Sequence, residues 1–360
     1  MNRQEYTVTG FLNLLEPSGL ITSFVEHPPE DFQPAGVAVN GRRVPGFIMD
    51  YDPLTTADDQ VQRAVERFRT LLPRFRTLFI GTTVSEYALF PHDMDPALFC
   101  KTVLSMQAEA GCSLCIIKDI PSESPLLTEE ENEFSRRLVS CLEAKSFITL
   151  YGQALAYVPV VFSSIDEYLG KFSKSHRRDL KRKLRCFDKV TVEERRTGRD
   201  CSDESFGKLF YALYLNVYND SDIHFDKLSP EFFESVLKDE SNNGIVFIYH
   251  GEDGGIIGFN LCFRVGDHLV DKYIGFRYPD SRTVNLYFLS WFYNLGYCIK
   301  NNLTALVAGW TDPEIKKYLG ADFTYTRHAV YAGNPVLRFI LKRIRPFFEA
   351  DRLTLESMKE

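Results

Sequence analysis

A dense cluster of basic side chains lies between Ser173 and Phe187. Apolar residues recur within it at the spacing of one helical face, so the segment predicts a helix that packs one stripe and surrounds it with positive charge. Four of the cations are candidates for binding phosphate or another polyanion: Arg177, Arg178, Lys181 and Arg182. The alternative is a solvated surface helix whose charges are balanced by acidic residues of the same protein.

A second candidate anion site lies where a strand predicted over 268–276 runs through a short turn into a helix beginning near Val284. The free N–H groups and the dipole of a helix N-terminus attract anions, and this turn adds Arg277, Arg282 and Thr283. The turn lacks the glycines of a P-loop or of a dinucleotide fingerprint, so nucleotide-binding folds are not supported. The alternative is a plain connection between two elements.

A short helix that opens with Pro313 and ends at Gly320 supplies the third group of candidates. Lys316 and Tyr318 project from it close to the end of the preceding strand, where open sheets commonly bind ligands. Trp310 comes just before the helix. The alternatives are a solvent-exposed lysine and a tryptophan of the hydrophobic core.

The elements that would position these residues alternate between helices and strands in the first half of the chain. An Asn-Gly pair at Asn40 and Gly41, flanked by alternating apolar residues, predicts a β-hairpin. A helical stripe follows over Thr56–Leu72, and further strands and helices continue to Lys145. This pattern predicts an α/β class.

The second half predicts two helices, an antiparallel meander and then a β-α-β crossover. Its order resembles that of the first half, which suggests an internal duplication. We therefore expect an N-terminal α/β domain over 1–155, a C-terminal domain over 156–350 and a tail over 351–360.

Composition restricts the environment of the protein. A formal net charge of −7 argues against general adhesion to nucleic acid or anionic lipid, so any such contact must be local. The eight cysteines are mostly far apart, and Cys112 and Cys115 have no second pair at zinc spacing, so we expect reduced thiols and no metal site.

Location follows from the same features. No secretory signal is evident, and the uncharged stretch 146–165, which contains Gly152 and Pro159, predicts two strands rather than a membrane span. We expect a cytoplasmic protein with no transmembrane segment.

Four segments, in order, resemble the GNAT superfamily, in the branch similar to Fem-type peptidoglycan aminoacyltransferases. They are "FSKSHRRDLKRKLR", "LFYALYLNVYNDSDIHFDKLSPEFFESVL", "GFRYPDSRTVNLYFLSWFYNLG" and "AGWTDPEIKKYLGADFTY", within residues 160–345. The last segment departs from the family pattern at Ile315, where an aromatic residue is usual. The glycine-rich pyrophosphate loop of acetyl-CoA users is absent, which disfavours acetyl-CoA as the donor.

The resemblance implies a mixed sheet, flanked by helices, that splays between two central strands, in two tandem GNAT-like domains. It implies N-acyl or aminoacyl transfer from acyl-CoA, an acyl-carrier protein or aminoacyl-tRNA to a small amine acceptor. The amine attacks directly, without a covalent intermediate and without a permanently bound cofactor. Transfer RNA is then a possible partner, and DNA is not.

The same resemblance implies roles for individual residues. Asp271 and Tyr273 lie two residues apart on one face of the central strand, so we expect one to accept the ammonium proton of the acceptor and the other to orient it or donate a proton. Tyr318 is the alternative acid, Lys316 meets the phosphate or 3′ end of the donor, and Trp310 walls the acyl pocket. A polar strand face turned to solvent is the alternative for the first pair.

A rival function belongs to another class. A catalytically inactive GNAT-like module would use the basic helix to bind RNA, an acidic partner or an anionic membrane surface.

Overall fold

The computed structural model describes residues 10–53, 74–221 and 225–357. The helix predicted over Thr56–Leu72 lies outside these residues. Among the described helices and strands, the bounds are as follows.

The α-helices are α1 (Ser18–Glu26), α2 (Pro96–Glu109), α3 (Glu129–Ala144), α4 (Ile165–Gly170), α5 (Lys174–Leu184), α6 (Glu204–Asp220), α7 (Pro230–Lys238), α8 (Asp280–Thr283), α9 (Leu286–Lys300), α10 (Pro313–Leu319), α11 (Pro335–Ile344) and α12 (Ala350–Ser357). The strands are β1 (Phe11–Leu12), β2 (Gln33–Pro34), β3 (Val37–Val39), β4 (Arg42–Val44), β5 (Gly46–Tyr51), β6 (Phe75–Ile80), β7 (Phe90–Pro91), β8 (Leu114–Ser122), β9 (Ile148–Pro159), β10 (Thr191–Arg196), β11 (Gly244–His250), β12 (Ile256–Val265), β13 (His268–Phe276), β14 (Ala305–Val307) and β15 (Asp322–Ala332).

Eleven of the described strands form one mixed sheet in the order β10-β11-β12-β13-β14-β9-β15-β8-β6-β5-β2. In the second half, β11, β12 and β13 form an antiparallel meander, and α9 crosses to β14, which is parallel to β13. The first half repeats this pattern, because β5 and β6 are antiparallel and α2 crosses to β8, which is parallel to β6. The predicted fold class, a splayed mixed sheet in two similar halves, is confirmed.

The Asn-Gly hairpin is also confirmed. Strands β3 and β4 pair around Asn40 and Gly41, whose φ angles of 48° and 74° are those of a type I′ turn. A left-handed backbone at both central positions explains why these two residue types stand there.

Two strands join the halves of the sheet. Strand β15, from the end of the chain, lies between β8 of the first half and β9. The predicted boundary at 155/156 therefore falls inside a single strand, β9, since residues 148–159 do not divide into two strands as their composition suggested.

Most of the predicted tail over 351–360 is helical. Helix α12 extends to Ser357 and packs against β9, and the carboxylate of Asp351 accepts a hydrogen bond from the Ala154 N–H at 2.9 Å. An apolar position on this helix, Leu355, is buried, which is why the last residues remain attached to the sheet.

Aromatic side chains fill the layer between the sheet and helices α6 and α7. Phe259 of β12 stacks on Phe210 of α6 with ring centroids 3.5 Å apart. This contact requires Gly275 on the neighbouring strand, because a Cβ there would overlap the Phe259 ring. The absence of a side chain at Gly275 therefore allows α6 to pack closely against β12 and β13.

We therefore expect Gly275→Ala to destabilise the protein by about 1–3 kcal/mol through overpacking. Gly207→Ala is the matched control, because that glycine lies within α6 with nothing within 4 Å of an added Cβ. The control should gain up to about 1 kcal/mol from helix propensity. Urea unfolding of both variants measures the difference, and a Gly275→Ala protein as stable as the wild type would contradict the packing argument.

Candidate active site

The central strands β13 and β14 part after a short stretch of pairing. They are paired only at His268–Ala305, Leu269–Leu306 and Val270–Val307, after which β13 continues to Phe276 and β14 ends. The parting opens a cavity of about 180 Å³. Its lining includes Asp271, Tyr273, Trp310 and Lys316, four of the residues singled out in the sequence.

A β-bulge determines how the first two of these residues point. Leu261 of β12 pairs with Tyr273, but the next residue, Cys262, pairs with Asp271, so Lys272 is the extra residue. Consecutive residues of β12 face opposite sides of the sheet, and their partners therefore do so as well. The expectation that Asp271 and Tyr273 share one face is wrong, although both border the cavity.

Asp271 faces α9 and is held by two amides. The Asn260 side chain donates to its Oδ1 at 2.6 Å, and Asn294 of α9 donates to its Oδ2 at 3.0 Å. Burial raises the pKa of Asp271 to about 6, and the Asn260 hydrogen bond and the charge of Lys316 oppose that rise. The group is thus a fixed carboxylate that changes charge near neutral pH.

Lys316 brings a positive charge into the same cavity. The residue is 5% exposed and makes no ion pair or hydrogen bond with the side chains of any described residue. Burial lowers its pKa to about 8, although Asp271 and Asp312 favour its charged form. A buried ammonium without a direct partner is expensive, which makes it a candidate group for binding a negative charge of a substrate.

Tyr273 faces the other side of the sheet, where its ring contacts Phe232 and Phe233 of α7. Its hydroxyl is buried and has no hydrogen-bond partner among the described residues. Burial raises the pKa of Tyr273 well above its usual value, so the phenol stays protonated.

Trp310 has a similar unfilled hydrogen-bonding capacity. Its indole Nε1 is buried without a partner among the described residues, and the Lys118 ammonium lies 5.1 Å from the ring centroid. Since buried polar atoms are normally paired, this donor and the Tyr273 hydroxyl are available to pair with polar groups of a ligand in the cavity.

A cluster of charges from both halves of the chain forms another wall. Lys272 places its Nζ 2.6 Å from Oε1 of Glu86 and 3.4 Å from Oε1 of Glu16. Burial raises the pKa of Glu16 to about 7, which Lys272 opposes. Burial lowers the pKa of Lys272, but the two carboxylates raise it by more, and the net shift is upward.

Sequence reasoning missed Glu16, Glu86 and Lys272. The two glutamates carried one usable signal, since each is the single charge within an uncharged run, 6–25 for Glu16 and 78–91 for Glu86. A lone carboxylate in an apolar segment is usually buried and paired. Which lysine would pair with it, some 200 residues away, was not readable from the chain.

The predicted anion site at the strand-turn-helix junction is occupied by the protein's own groups. Arg277 donates to Asp280 at 2.7 Å, and Arg282 donates to both oxygens of Asp220 at 2.7 and 2.8 Å. The Thr283 hydroxyl donates to the carbonyl of Asp280. The turn is the short helix α8, and binding of a donor by these three residues stays a prediction.

Tyr318 lies on α10 with Lys316 but faces helix α5 instead of the cavity. Its hydroxyl donates to Asp179, and its ring lies 4.2 Å from that of His176. Burial and the Asp179 carboxylate raise the pKa of Tyr318 to about 12. Helix α10 therefore contacts the basic helix through Tyr318 and the cavity through Lys316.

On the basic helix itself, two of the four predicted polyanion ligands have protein partners. Lys181 pairs with Asp166 at 2.6 Å, and Arg182 pairs with Asp179 at 2.5 Å. Arg177 and Arg178 have no ion pair within the described part of the chain. Acidic residues of the protein therefore balance some cations of the helix, as the second interpretation expects, while Arg177 and Arg178 remain available for a polyanion, as the first expects.

The family of the chain is decided by a family model that matches residues 127–355 and is described as FemAB-like, peptidoglycan biosynthesis/recognition. The chain belongs to this FemAB-like family. No curated protein sequence matches it significantly.

Solved structures share the FemAB-like chain's fold at low sequence identity. FemX is 12% identical with a TM-score of 0.52, covering 95% of this chain and 98% of its own. L-PGS from Bacillus licheniformis is 11% identical with a TM-score of 0.52, covering 91% and 96%. The C-terminal DUF2156 domain of a protein assigned as a lysylphosphatidylglycerol synthetase in Agrobacterium fabrum is 13% identical with a TM-score of 0.54, covering 91% and 90%.

None of the helices in the described residues combines the length and the apolar composition that a crossing of the bilayer requires.

The electrostatic coupling across the cavity of the FemAB-like chain can be measured directly. The Asp271 carboxylate favours the Lys316 ammonium, so Asp271→Asn should lower the pKa of Lys316 further below about 8. The pH dependence of acylation of Lys316 by acetic anhydride, followed by peptide mass spectrometry, reports this pKa. The extent of acylation of the neighbouring Lys317, which does not line the cavity, should be equal in the wild type and the variant at a fixed pH, and an unchanged Lys316 profile would contradict the coupling.

Proposed function

We propose that this protein transfers an aminoacyl group from an activated carrier to the amine of a peptidoglycan-type acceptor. The observation that carries the proposal is the pair of opposite charges, the half-buried Asp271 and the buried Lys316, beside the parted strands, with pKa values of about 6 and about 8. A base and a cation poised around neutral pH are what direct attack by an amine on an ester requires.

The reaction follows from the positions of these groups. Asp271, ionised above its pKa, accepts a proton from the acceptor ammonium, and the freed nitrogen attacks the carbonyl carbon of the donor. A C–N bond forms, the carbonyl oxygen becomes negative and Lys316 stabilises that charge. As the oxyanion collapses, the bond from carbon to the carrier oxygen breaks, and the carrier oxygen takes the proton of the Tyr273 phenol. The second proton of the attacking nitrogen passes to the phenolate, so the amide and a neutral Tyr273 remain, and Asp271 releases its proton to solvent.

The acceptor amine has a second negative partner in the cavity. Only Oε1 of Glu86 is paired with Lys272, whereas Oε2 is buried and without a hydrogen-bond partner among the described residues. An ammonium bound between Glu86 and Asp271 would lie with its proton next to a base. Glu86 thus serves the proposal as an acceptor-binding residue.

The donor is argued from the surface beside the cavity. The arginines that stand in place of a pyrophosphate loop are paired with Asp280 and Asp220, which disfavours a CoA donor. Helix α5 keeps Arg177 and Arg178 free of ion pairs with described residues, and α10 connects this helix to Lys316. A polyanionic carrier with its acyl end in the cavity fits both facts, and aminoacyl-tRNA is such a carrier.

A second candidate function rests on the same two arginines. A module without catalytic activity would bind RNA or another polyanion through α5 and would use the cavity for no chemistry. Loss of tRNA binding in an Arg177→Glu, Arg178→Glu protein, together with no transfer by the wild type, would favour that module.

The pH dependence of transfer tests the proposed roles. The value of kcat/KM should rise with pH as Asp271 loses its proton near pH 6 and fall as Lys316 loses its charge near pH 8. Lys316→Met should remove the falling limb and lower kcat about 10²- to 10³-fold, as loss of an oxyanion-stabilising group does. Transfer of labelled amino acid from aminoacyl-tRNA to a muropeptide amine measures it.

Lys317→Met is the control for the loss of one lysine on the same helix, and its profile should match that of the wild type. A Lys316→Met enzyme with the wild-type rate and the same alkaline limb would overturn the assignment of Lys316.

The salt dependence of donor binding tests the role of α5. If Arg177 and Arg178 each contact a phosphate, their exchange for glutamine should reduce the slope of log K against log salt by about 2. Filter retention of aminoacyl-tRNA across a salt series gives the slope. Lys208→Gln, on the distant helix α6 and paired with Glu204, should leave it unchanged. An unchanged slope in the double arginine variant would place the tRNA elsewhere.

A further inference from the structure

Helix α11 exposes apolar side chains that the fold does not use. Its inner stripe, Leu337, Leu341 and Ile344, is half-buried against the protein. The outer stripe carries Val336 and Phe339, which are 67% and 72% exposed. The helix thus has two apolar faces, and only one of them packs against other described residues.

The exposed group extends beyond one helical face. Ile340 is 46% exposed beside Phe339, and Phe347 in the 3₁₀ turn that follows is 51% exposed. We call Val336, Phe339, Ile340 and Phe347 the α11 patch. Four of the nine strongly exposed large apolar side chains among the described residues lie in this short stretch, although isolated ones are scattered elsewhere. Such concentration on a water-facing surface indicates a binding surface.

The charge around the α11 patch has a single sign. From Asn334 to Phe348 the sequence contains no Asp or Glu, while the chain as a whole carries −7. Lys342 and Arg343 lie three and four residues after Phe339, on the same side of the helix, and are exposed. Neither has an ion pair with a described residue.

We propose that the α11 patch docks the protein on an anionic membrane surface. A helix that presents large apolar side chains next to lysine and arginine lies in the interface of a bilayer, where the apolar groups enter the acyl boundary and the cations meet lipid phosphates. The charge complementarity identifies the occupant. A twofold contact between two copies would instead bury Lys342 and Arg343 of both copies in an interface to which the segment 334–348 supplies no carboxylate.

The α11 patch differs from the other cationic surface of the protein. On α5, Arg177 and Arg178 carry free charge, but none of the strongly exposed large apolar side chains of the described residues lies on that helix. Charge without apolar side chains suits a hydrated polyanion, whereas charge with Phe339 and Ile340 suits a lipid interface. The two surfaces therefore make separable predictions, and membrane docking does not depend on the proposed transfer reaction.

Co-sedimentation of the full chain with vesicles tests the proposal. The protein should bind vesicles of phosphatidylcholine with phosphatidylglycerol and not vesicles of phosphatidylcholine alone. Lys342→Gln with Arg343→Gln should weaken binding roughly 25-fold, since each basic residue near an anionic surface contributes about fivefold. Phe339→Ser with Ile340→Ser should weaken it by at least about tenfold through loss of apolar burial.

Two matched controls separate this surface from general effects. Val161→Ser removes an apolar side chain that is 86% exposed outside the patch, and Arg177→Gln with Arg178→Gln removes two cations from α5. Both proteins should bind vesicles like the wild type, and circular dichroism should show that all variants are folded.

Three results would overturn the proposal. They are equal vesicle binding by the wild type and the α11 patch variants, an equal loss caused by the α5 variant, and a wild-type dimer in sedimentation that Phe339→Ser with Ile340→Ser converts to a monomer. The last result would make a second copy of the chain the occupant of the patch.

Discussion

The rest of the site depends on the separation of β13 from β14 after Val270 and Val307. Where two neighbouring strands part, the backbone N–H and C=O groups on the facing edges lose the hydrogen bonds that the neighbouring strand would supply. The fold satisfies some of them locally, as when Asp351 of the last helix accepts the Ala154 N–H on the freed edge of β9. Among the side-chain atoms left without a partner in the described residues, the Tyr273 hydroxyl and the Trp310 indole nitrogen belong to residues that line the cavity.

Charge balance in the cavity explains why both halves of the chain are needed. Lys272 of β13 is held by Glu86 and Glu16 of the first half, at 2.6 and 3.4 Å. The bulge at Lys272 allows this, since it also turns Asp271 toward α9 and Tyr273 toward α7. Two carboxylates lie near this one lysine and Asp271 adds a third to the cavity, whereas Lys316 is a nearby cation without a direct partner among the described residues. The half without the parted strands thus shapes the electrostatics of the half that has them.

The two cationic surfaces illustrate that charge alone does not define a partner. Helix α5 is the more basic of the two, yet Asp166 and Asp179 neutralise part of it. Helix α11 has fewer cations, but they stand next to exposed aromatic and aliphatic side chains. The two surfaces belong to different parts of the fold, since α5 lies against α10 and α9 whereas α11 follows the last strand of the sheet.

The periodicity of apolar residues, together with turn and capping residues, determined most of the helices and strands. The strand over 268–276 has the predicted bounds, because alternating apolar residues and flanking turns are local properties, and the Asn-Gly hairpin likewise follows from two residue types. The order of four weak motifs sufficed to indicate the family and the splayed sheet. Lys316, Trp310, Asp271 and Tyr273, which the sequence singled out, all line the cavity, since they lie in or next to elements with clear limits.

Only the tertiary structure decided how these residues are arranged. One extra residue in β13 reverses a strand face, and no alternation pattern marks it, because a bulge depends on the register with β12. Pairing of Lys272 with Glu86, of Arg282 with Asp220 and of Tyr318 with Asp179 joins positions from 62 to 186 residues apart. A chain read in order shows which groups are charged, but burial and distance set their pKa values and partners, and both arise only when the sheet is assembled.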